Sequence, residues 1–177
     1  MSNYVCDLTN GYDDTLCKVV AGGIKKVIPV KLSDIDPSGT TITSNEVTAL
    51  TATTGGYEFT LQRNLSSATY PPSGTEESGS TSYPINLVMV INNDTKEVRE
   101  YVDAFARNTW VMFVQKVDGT WIALGLNDGL RVFDGSEGGT GTVKSDRNGY
   151  SISFTGDELY PIPDVDSAVI DSIAISS

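Results

Sequence analysis

The residue types that most enzymes use for acid–base chemistry are absent or scattered in this chain of 177 residues. It contains no histidine, which excludes histidine-based catalytic triads, histidine metal ligands and the commonest general base. No Gly-x-Ser-x-Gly or phosphate-loop motif occurs. Residues 135–141 (GSEGGTG) are rich in glycine but lack the lysine and the strand-to-helix context of a phosphate loop. We therefore expect no enzymatic activity and no cofactor.

Carboxylates are abundant, but none falls into a recognisable site. Residues 7–14 (DLTNGYDD) lack the ligand order and the terminal Glu of a helix–loop–helix calcium site. Glu76-Glu77 and Asp157-Glu158 are adjacent pairs, and neighbours on a strand point to opposite faces, so neither pair predicts glycoside cleavage. We expect solvated loops and no metal site.

The two cysteines, Cys6 and Cys17, make a poor zinc site because no histidine accompanies them. One disulfide between them stays open as an alternative to free thiols. The N-terminus lacks the basic start and apolar run of a signal peptide, and no apolar stretch is long enough to span a membrane. These features predict synthesis in a cytosol, which favours free thiols, and no membrane partner.

Tryptophan could bind sugars if it were exposed, and both tryptophans lie in one apolar stretch, WVMFVQKVDGTWIALGL at 110–126. Asp118-Gly119 supplies the positive φ angles of a tight hairpin turn. Apolar residues on both faces predict a central hairpin covered on both sides, with a helix over one face. This interpretation places four side chains in the core: Trp110, Met112, Trp121 and Leu124. The alternative is a sugar-binding platform of Trp110 and Trp121.

The net charge is −11, from 23 acidic and 12 basic residues. Contacts to phosphate need Lys and Arg, so this balance argues against wrapping nucleic acid. Solubility through self-repulsion is one reading of the charge, and a surface that repels an anionic partner is the other.

Alternation of apolar and polar residues predicts a mainly β chain. Strands are expected at 24–30, 57–65, 85–91, 110–116, 121–126 and 130–133. A weaker strand is expected at 41–52, and a hairpin-type turn at 146–149. Residues 33–40 (SDIDPSGT) read as a turn, 142–144 and 150–154 as strands, and 168–175 as a closing strand or a short helix.

One helix is predicted at 93–107. Val98, Tyr101, Val102 and Phe105 recur at helical spacing, and Asn93 or Asp94 would cap the N-terminus, with Glu97 completing a capping box. Before it, residues 66–84 (SSATYPPSGTEESGSTSYP) contain too few apolar residues to build a core. They predict a long functional loop or an extended ribbon with its tip at 71–79.

The expected organisation is an N-terminal arm at 1–23 and a single domain at 24–177. The expected fold class is two packed antiparallel sheets, a sandwich or barrel, with one flanking α-helix at about 93–107.

The order of these segments resembles that of the tail-tube-like structural proteins of tailed bacteriophages that infect Bacteroidetes. The resemblance covers residues 17–165 and is carried by AGGIKKV, the 66–84 segment, VDGTWIALGLNDGL and SDRNGYSISFTGDE. It implies a virion protein, either a tail-tube or a tail-ring subunit, made in the host cytoplasm and located in the tail. It also implies rings, usually of six copies, whose inner sheets form an acidic channel for DNA ejection.

Partners follow from the same resemblance: further copies of the chain, other virion tail proteins, and double-stranded DNA that passes without specific binding. The family's arm and long loop bridge adjacent rings, so the expected inter-subunit contacts lie at Tyr4, Tyr12, Tyr70, Pro71, Pro72, Glu76, Glu77 and Tyr83. The stiff Pro71-Pro72 pair also suits a ring-like connector. A carbohydrate-binding β-sandwich module and a head-decoration or fibre protein stay as alternatives.

Overall fold

A computed structural model describes residues 22–62, 64–75, 77, 79–132 and 135–175. Most of the predicted arm at 1–23 lies outside these residues, as do Tyr4, Tyr12, both cysteines and Glu76.

The described chain is built mainly from strands. They are β1 (Ile24–Lys31), β2 (Ile35–Thr43), β3 (Glu46–Ala52), β4 (Gly56–Tyr57), β5 (Phe59–Thr60), β6 (Ser67–Thr69), β7 (Ser73–Thr75), β8 (Ser80–Ile91), β9 (Trp110–Lys116), β10 (Trp121–Leu124), β11 (Arg131–Val132), β12 (Glu137–Gly139), β13 (Gly149–Glu158), β14 (Asp164–Val165) and β15 (Ala174–Ile175). The helices are α1 (Lys96–Arg107) and α2 (Ser167–Ile173), and a 3₁₀ turn spans Leu32–Asp34.

Two main sheets carry the fold. The first has the order β2-β3-β14-β10-β9-β1-β5, and the second has the order β11-β13-β8-β6, with β12 on β13 and β7 on β8. Their pairings are antiparallel except that between β3 and β14. A small parallel pair joins β4 to β15. The predicted class, a mainly β sandwich with a flanking helix, is confirmed.

An inner core fills the space between the two sheets. Buried side chains from both sheets meet there, and Phe105 of α1 closes it through edge contacts with Trp110 and Phe154 at 5.4 and 5.3 Å between ring centroids. The inner core includes Val27, Ile85, Leu87, Met89, Trp110, Met112, Val114, Ile122, Leu124, Ile152 and Phe154.

An outer core covers the other face of the first sheet. Here α2 packs Val169, Ile170 and Ile173 against the central strands. The sheet contributes Ile28, Val30, Val47, Val111, Phe113, Trp121 and Ala123. The central hairpin β9–β10 is therefore buried on both faces, as predicted. Its outer face is covered by α2, a segment for which the sequence predicted either a strand or a short helix.

Helix α1 begins later than predicted. Thr95, not Asn93 or Asp94, is its N-cap, and the Thr95 side chain accepts a hydrogen bond from the Val98 amide at 3.4 Å. Asp94 does not cap the helix, because its carboxylate accepts hydrogen bonds from the Arg99 side chain and from the Tyr150 hydroxyl. Of the predicted apolar face, Val98 and Phe105 are buried, whereas Tyr101 is 45% exposed.

Two predictions around residues 33–57 are wrong. Residues 35–40 belong to β2, because Ile35 and Asp36 pair with β3; the expected turn is limited to a bulge in that strand, where the Asp36 carboxylate accepts bonds from the amide and hydroxyl of Ser38. The single strand predicted at 57–65 is instead two short strands, β4 and β5, which pair with β15 and β1 respectively, and Tyr57 is exposed.

Two turns also differ from prediction. Residues 142–144 form no strand, since the Asp146 carboxylate accepts bonds from the Thr142 and Val143 amides and holds a turn; β12 pairs with β13 instead. In the turn of the central hairpin, Gly119 has positive φ, at 94°, but Asp118 does not, and the Asp118 carboxylate accepts a bond from the Thr120 amide at 2.9 Å.

Candidate assembly surface

Strands β6, β7 and β8 form one long hairpin. Thr69 lies opposite Asn86 and Ser73 lies opposite Ser82, so the register of β6 continues into β7 without a shift. The strand is interrupted only at residues 70–72, where Pro71 and Pro72 have no N–H to donate to the ladder. Tyr70-Pro71-Pro72 is therefore a break within one strand and not the start of the tip.

The end of this hairpin, residues 73–82, is called the ribbon below. Its described residues are Ser, Thr, Gly and Glu77, with no apolar side chain, and all are exposed except Ser82, which is half-buried. Gly79 turns the chain with a φ of 61°. Two strands with nothing packed on either face are only marginally stable in water. Among the described residues, the ribbon thus has no packed apolar side chains to stabilise it.

The ribbon begins where strand β13 ends. β13 pairs with β8 from Ile91 to Tyr83 and its last rung joins Glu158 to Tyr83. Strand β8 runs on for three more residues, about 10 Å at the usual rise per residue. On its β13 side, the backbone of Thr81 and Ser82 therefore has no neighbouring strand among the described residues.

A buried carboxylate fixes this end point. Glu158 is 3% exposed, and it accepts hydrogen bonds from the Asn127 amide, the Asn127 side chain and the Asp128 amide at 3.0, 3.0 and 3.1 Å. These bonds tie the last rung of β13 to the loop that follows the central hairpin. Asp157 beside it is exposed, so the two carboxylates point to opposite faces, as predicted.

The predicted contact residues fall at two places. Tyr70, Pro71, Pro72 and Tyr83 lie together at the root of the ribbon, where the shared register puts Pro72 opposite Tyr83. Tyr70 is 37% exposed and Tyr83 is half-buried. Glu77 lies at the tip, away from the others.

Sequence reasoning missed Leu159, which follows β13 and is 55% exposed beside the root. The strand there was predicted to end at residue 154, four residues too early, so nothing indicated that Leu159 would directly follow the rung between Glu158 and Tyr83.

Several other sheet edges of the described chain are blunted, although β6, at the end of the second sheet, is not. β2 carries Pro37 and a bulge, β5 is two residues long, and β11 and β12 are separated by Gly135 at a φ of 90°. Prolines, bulges and short strands are the usual protection against unwanted edge pairing. On the ribbon the two paired segments have no charge, no proline and no bulge.

Charge is distributed unevenly over the surface. Ion pairs join Lys26 to Glu58 at 2.8 Å and Arg107 to Asp103 at 2.9 Å. In the part of the chain that the structure describes, no ion pair includes Glu46, its neighbour Asp164 across the β3–β14 rungs, or Asp171 of α2. Glu46 and Asp164 thus form an acidic pair at the ends of β3 and β14, with no ion-pair partner among the described residues.

Hydrogen bonds lower the pKa of several surface carboxylates. The Thr120 hydroxyl and amide hold the pKa of Asp118 below its usual value. The pKa of Asp146 is lowered by the Val143 and Thr142 amides, and that of Asp94 by its bond from Arg99. A stabilised anion has a lower pKa. These groups therefore carry full negative charge at neutral pH.

The features that would support chemistry or sugar binding do not converge. Trp110 and Trp121 are 8% and 9% exposed and lie in the inner and outer core, so they cannot form a platform. A cavity beside Glu158, lined in part by Leu126, Tyr160 and Pro163, measures about 10 Å³, room for one water molecule. Within residues 22–62, 64–75, 77, 79–132 and 135–175, no three Asp, Glu, Cys or His side chains are placed to hold a metal ion.

The helices of the described chain are too short or too polar to cross a membrane. In comparisons with known proteins, no family model, no curated protein and no solved structure matches the chain.

Proposed function

We propose that this chain is a structural subunit of a bacteriophage virion, a tail-tube or tail-ring protein that assembles with copies of itself. The observation that carries the proposal is the ribbon, which extends beyond the sheet, has no apolar side chain, and presents two unprotected strand edges. Such a hairpin gains little from its own chain. Strand addition to a neighbouring molecule would satisfy its backbone groups.

Three further observations support a structural role over a catalytic one. The core is complete without a substrate cleft at its centre, because the central hairpin is buried on both faces. The tryptophans are part of that core and give no support to a carbohydrate-binding module. The predicted contact residues Tyr70, Pro71, Pro72 and Tyr83 lie beside the ribbon, where a neighbouring subunit would be bound.

The charge supports passage of DNA without binding. A net charge of −11 and carboxylates held in the ionised form repel phosphates across distances of about 8–10 Å at physiological salt. A channel wall with this charge would let duplex DNA slide. In this proposal the other tail proteins bind at the ends of the assembly.

The test is the assembly state of the purified chain. We would measure sedimentation and image the protein by electron microscopy at increasing concentration. The matched control is a variant in which residues 74–81 are replaced by Asn-Gly, a two-residue hairpin turn that shortens the ribbon and leaves the sandwich intact. We expect rings or tubes with a pore of about 20 Å or more, wide enough for B-form DNA, from the wild type only.

Three results would count against the proposal. Monomers at every concentration would contradict self-assembly. Assemblies without a continuous pore would favour the head-decoration or fibre alternative. Retention of duplex DNA in a mobility-shift assay at physiological salt would contradict passage without binding.

A further inference from the structure

We propose that the ribbons of neighbouring copies join through two different edges: the outer side of β7 in one copy pairs with the side of β8 that β13 leaves open in the next. This inference rests on the self-assembly proposed above and adds the partner segment and the symmetry of the contact.

The acceptor is the β8 backbone at Thr81 and Ser82. β6 and β13 both pair with Val88, through Ser67 and Ser153, so they lie on opposite sides of β8. Because β7 continues the register of β6, the side of β8 facing away from β7 is the β13 side. β13 leaves that side after its rung at Tyr83. A guest strand placed there would continue the line of β13, next to the end of β13 that the exposed Leu159 follows.

The donor is the outer side of β7 at Ser73 and Gly74, which no strand of the described chain covers. Two chains that each carry a charge of −11 repel one another. Contact is least opposed where both surfaces are uncharged, and the paired segments of the ribbon contain only Ser, Thr and Gly. Hydroxyl side chains facing each other across strands also form favourable cross-strand pairs. Glu77 lies at the tip, outside these rungs.

The positions of the two edges dictate the symmetry. Each ribbon has one donor edge and one acceptor edge, on opposite sides. Pairing of unlike edges is heterologous, so every added copy presents a fresh edge, and the chain of contacts closes as a ring or continues as a filament. Pairing of like edges, β7 with β7 or β8 with β8, would be isologous and would stop at a dimer.

A cross-linking matrix tests this arrangement. Cys6 and Cys17 are first replaced by Ser, and this background must assemble as the wild type does. Ser73→Cys is made at natural isotope abundance and Ser82→Cys with ¹⁵N, and the two are mixed and treated with a flexible bismaleimide. Mass then separates 73–73, 73–82 and 82–82 products. Ser145→Cys, exposed in the turn at the far end of β13, is the control for random collision.

We expect the mixed 73–82 product to exceed both like-with-like products and the Ser145→Cys control at least tenfold. Dominant 73–73 or 82–82 products would overturn the inference and indicate a two-fold contact. Rings in the microscope with ribbon cross-links no higher than the control would overturn it too, while leaving the proposed function in place. Monomers without cross-links would overturn both.

Discussion

The central hairpin β9–β10 and the ribbon are both antiparallel strand pairs, yet their environments are opposite. Every residue of β10 is buried, and so are the first five of β9. Every residue of β7 is exposed. The first hairpin is held in place by buried side chains on two faces, whereas the described residues of the second bury no apolar side chain.

We infer that the two hairpins have different roles: the central hairpin stabilises the fold, and the ribbon is available to pair with another chain. Burial of apolar side chains contributes about 25 cal/mol per Å² and accounts for most of the stability of a domain. A hairpin with no such burial contributes little to stability and keeps its backbone available for another chain. We therefore expect substitutions in the two hairpins to change different measured quantities.

The largest effect is expected from Phe113→Ala in β9. Phe113 is fully buried in the outer core, and Phe→Ala in a core costs about 3–5 kcal/mol. The free energy of unfolding from urea titration measures it. The control is Thr81→Ala in the ribbon, where exposed substitutions stay within about 0.5 kcal/mol. Similar losses of unfolding free energy in both variants would contradict the inferred difference between the two hairpins.

The next effect is expected from Glu158→Gln, which connects the two regions. The new amide group would face the Asn127 side chain and amides that now donate to a carboxylate. We expect a loss of about 1–3 kcal/mol, the range for disturbing buried, charge-assisted hydrogen bonds. Asp157→Asn is the exposed control on the same strand.

Hydrogen exchange should also rise at residues 125–129 in Glu158→Gln and stay unchanged in Asp157→Asn. If the two variants are equally stable, Glu158 does not anchor the end of β13.

Much of this contrast could be predicted from the sequence. Apolar residues on both faces of 110–126 identified the central hairpin, and the apolar-poor composition of 66–84 indicated a segment without a core. Both signals are local. The cover from α2 and the Glu158 anchor could not be predicted, because Glu158 binds a loop 31 residues earlier in the chain.

The wrong N-cap prediction for α1 has a local cause, because several neighbouring residues could cap the helix. Asn93, Asp94 and Thr95 are all good cap residues, and only the bonds from Arg99 and Tyr150 to Asp94 leave the cap to Thr95. The contact residues at the ribbon root were expected from a family resemblance, and their role in assembly stays a prediction.

A smaller effect, dependent on pH, is expected from Asp94→Asn, which loosens α1 from β13. The bond from Arg99, with help from the Tyr150 hydroxyl, holds the pKa of Asp94 below its ordinary value, about 3.9. Because the pKa of Asp94 is lower in the folded state than in the unfolded state, its ionised carboxylate stabilises the fold at any pH above the unfolded-state pKa. This contribution disappears as the pH falls through the folded-state pKa.

Wild type should therefore be more stable than Asp94→Asn at pH 7, with the difference shrinking below about pH 4. Urea titrations across this range measure it. A difference that stays constant at acid pH would show that the charge of Asp94 is not responsible.

The smallest effect on stability is expected from the Asn-Gly replacement of residues 74–81. It removes no buried side chain, so the free energy of unfolding should stay within about 0.5 kcal/mol of wild type. Assembly, measured by sedimentation, should be lost. A destabilised variant would mean that the ribbon supports the fold, and a variant that still assembles would place the contact elsewhere.

The continuous ladder between β8 and β13 has a mechanical consequence. Nine consecutive antiparallel rungs connect the two strands, and the ribbon is an extension of β8 itself. A pull along the ribbon therefore loads these rungs in shear, so that they must fail together, whereas a pull across the sheet would open them one at a time. A neighbour attached to the ribbon would transmit tension along the strand axis directly into the sandwich. We expect such an assembly to resist axial stretching far better than lateral peeling.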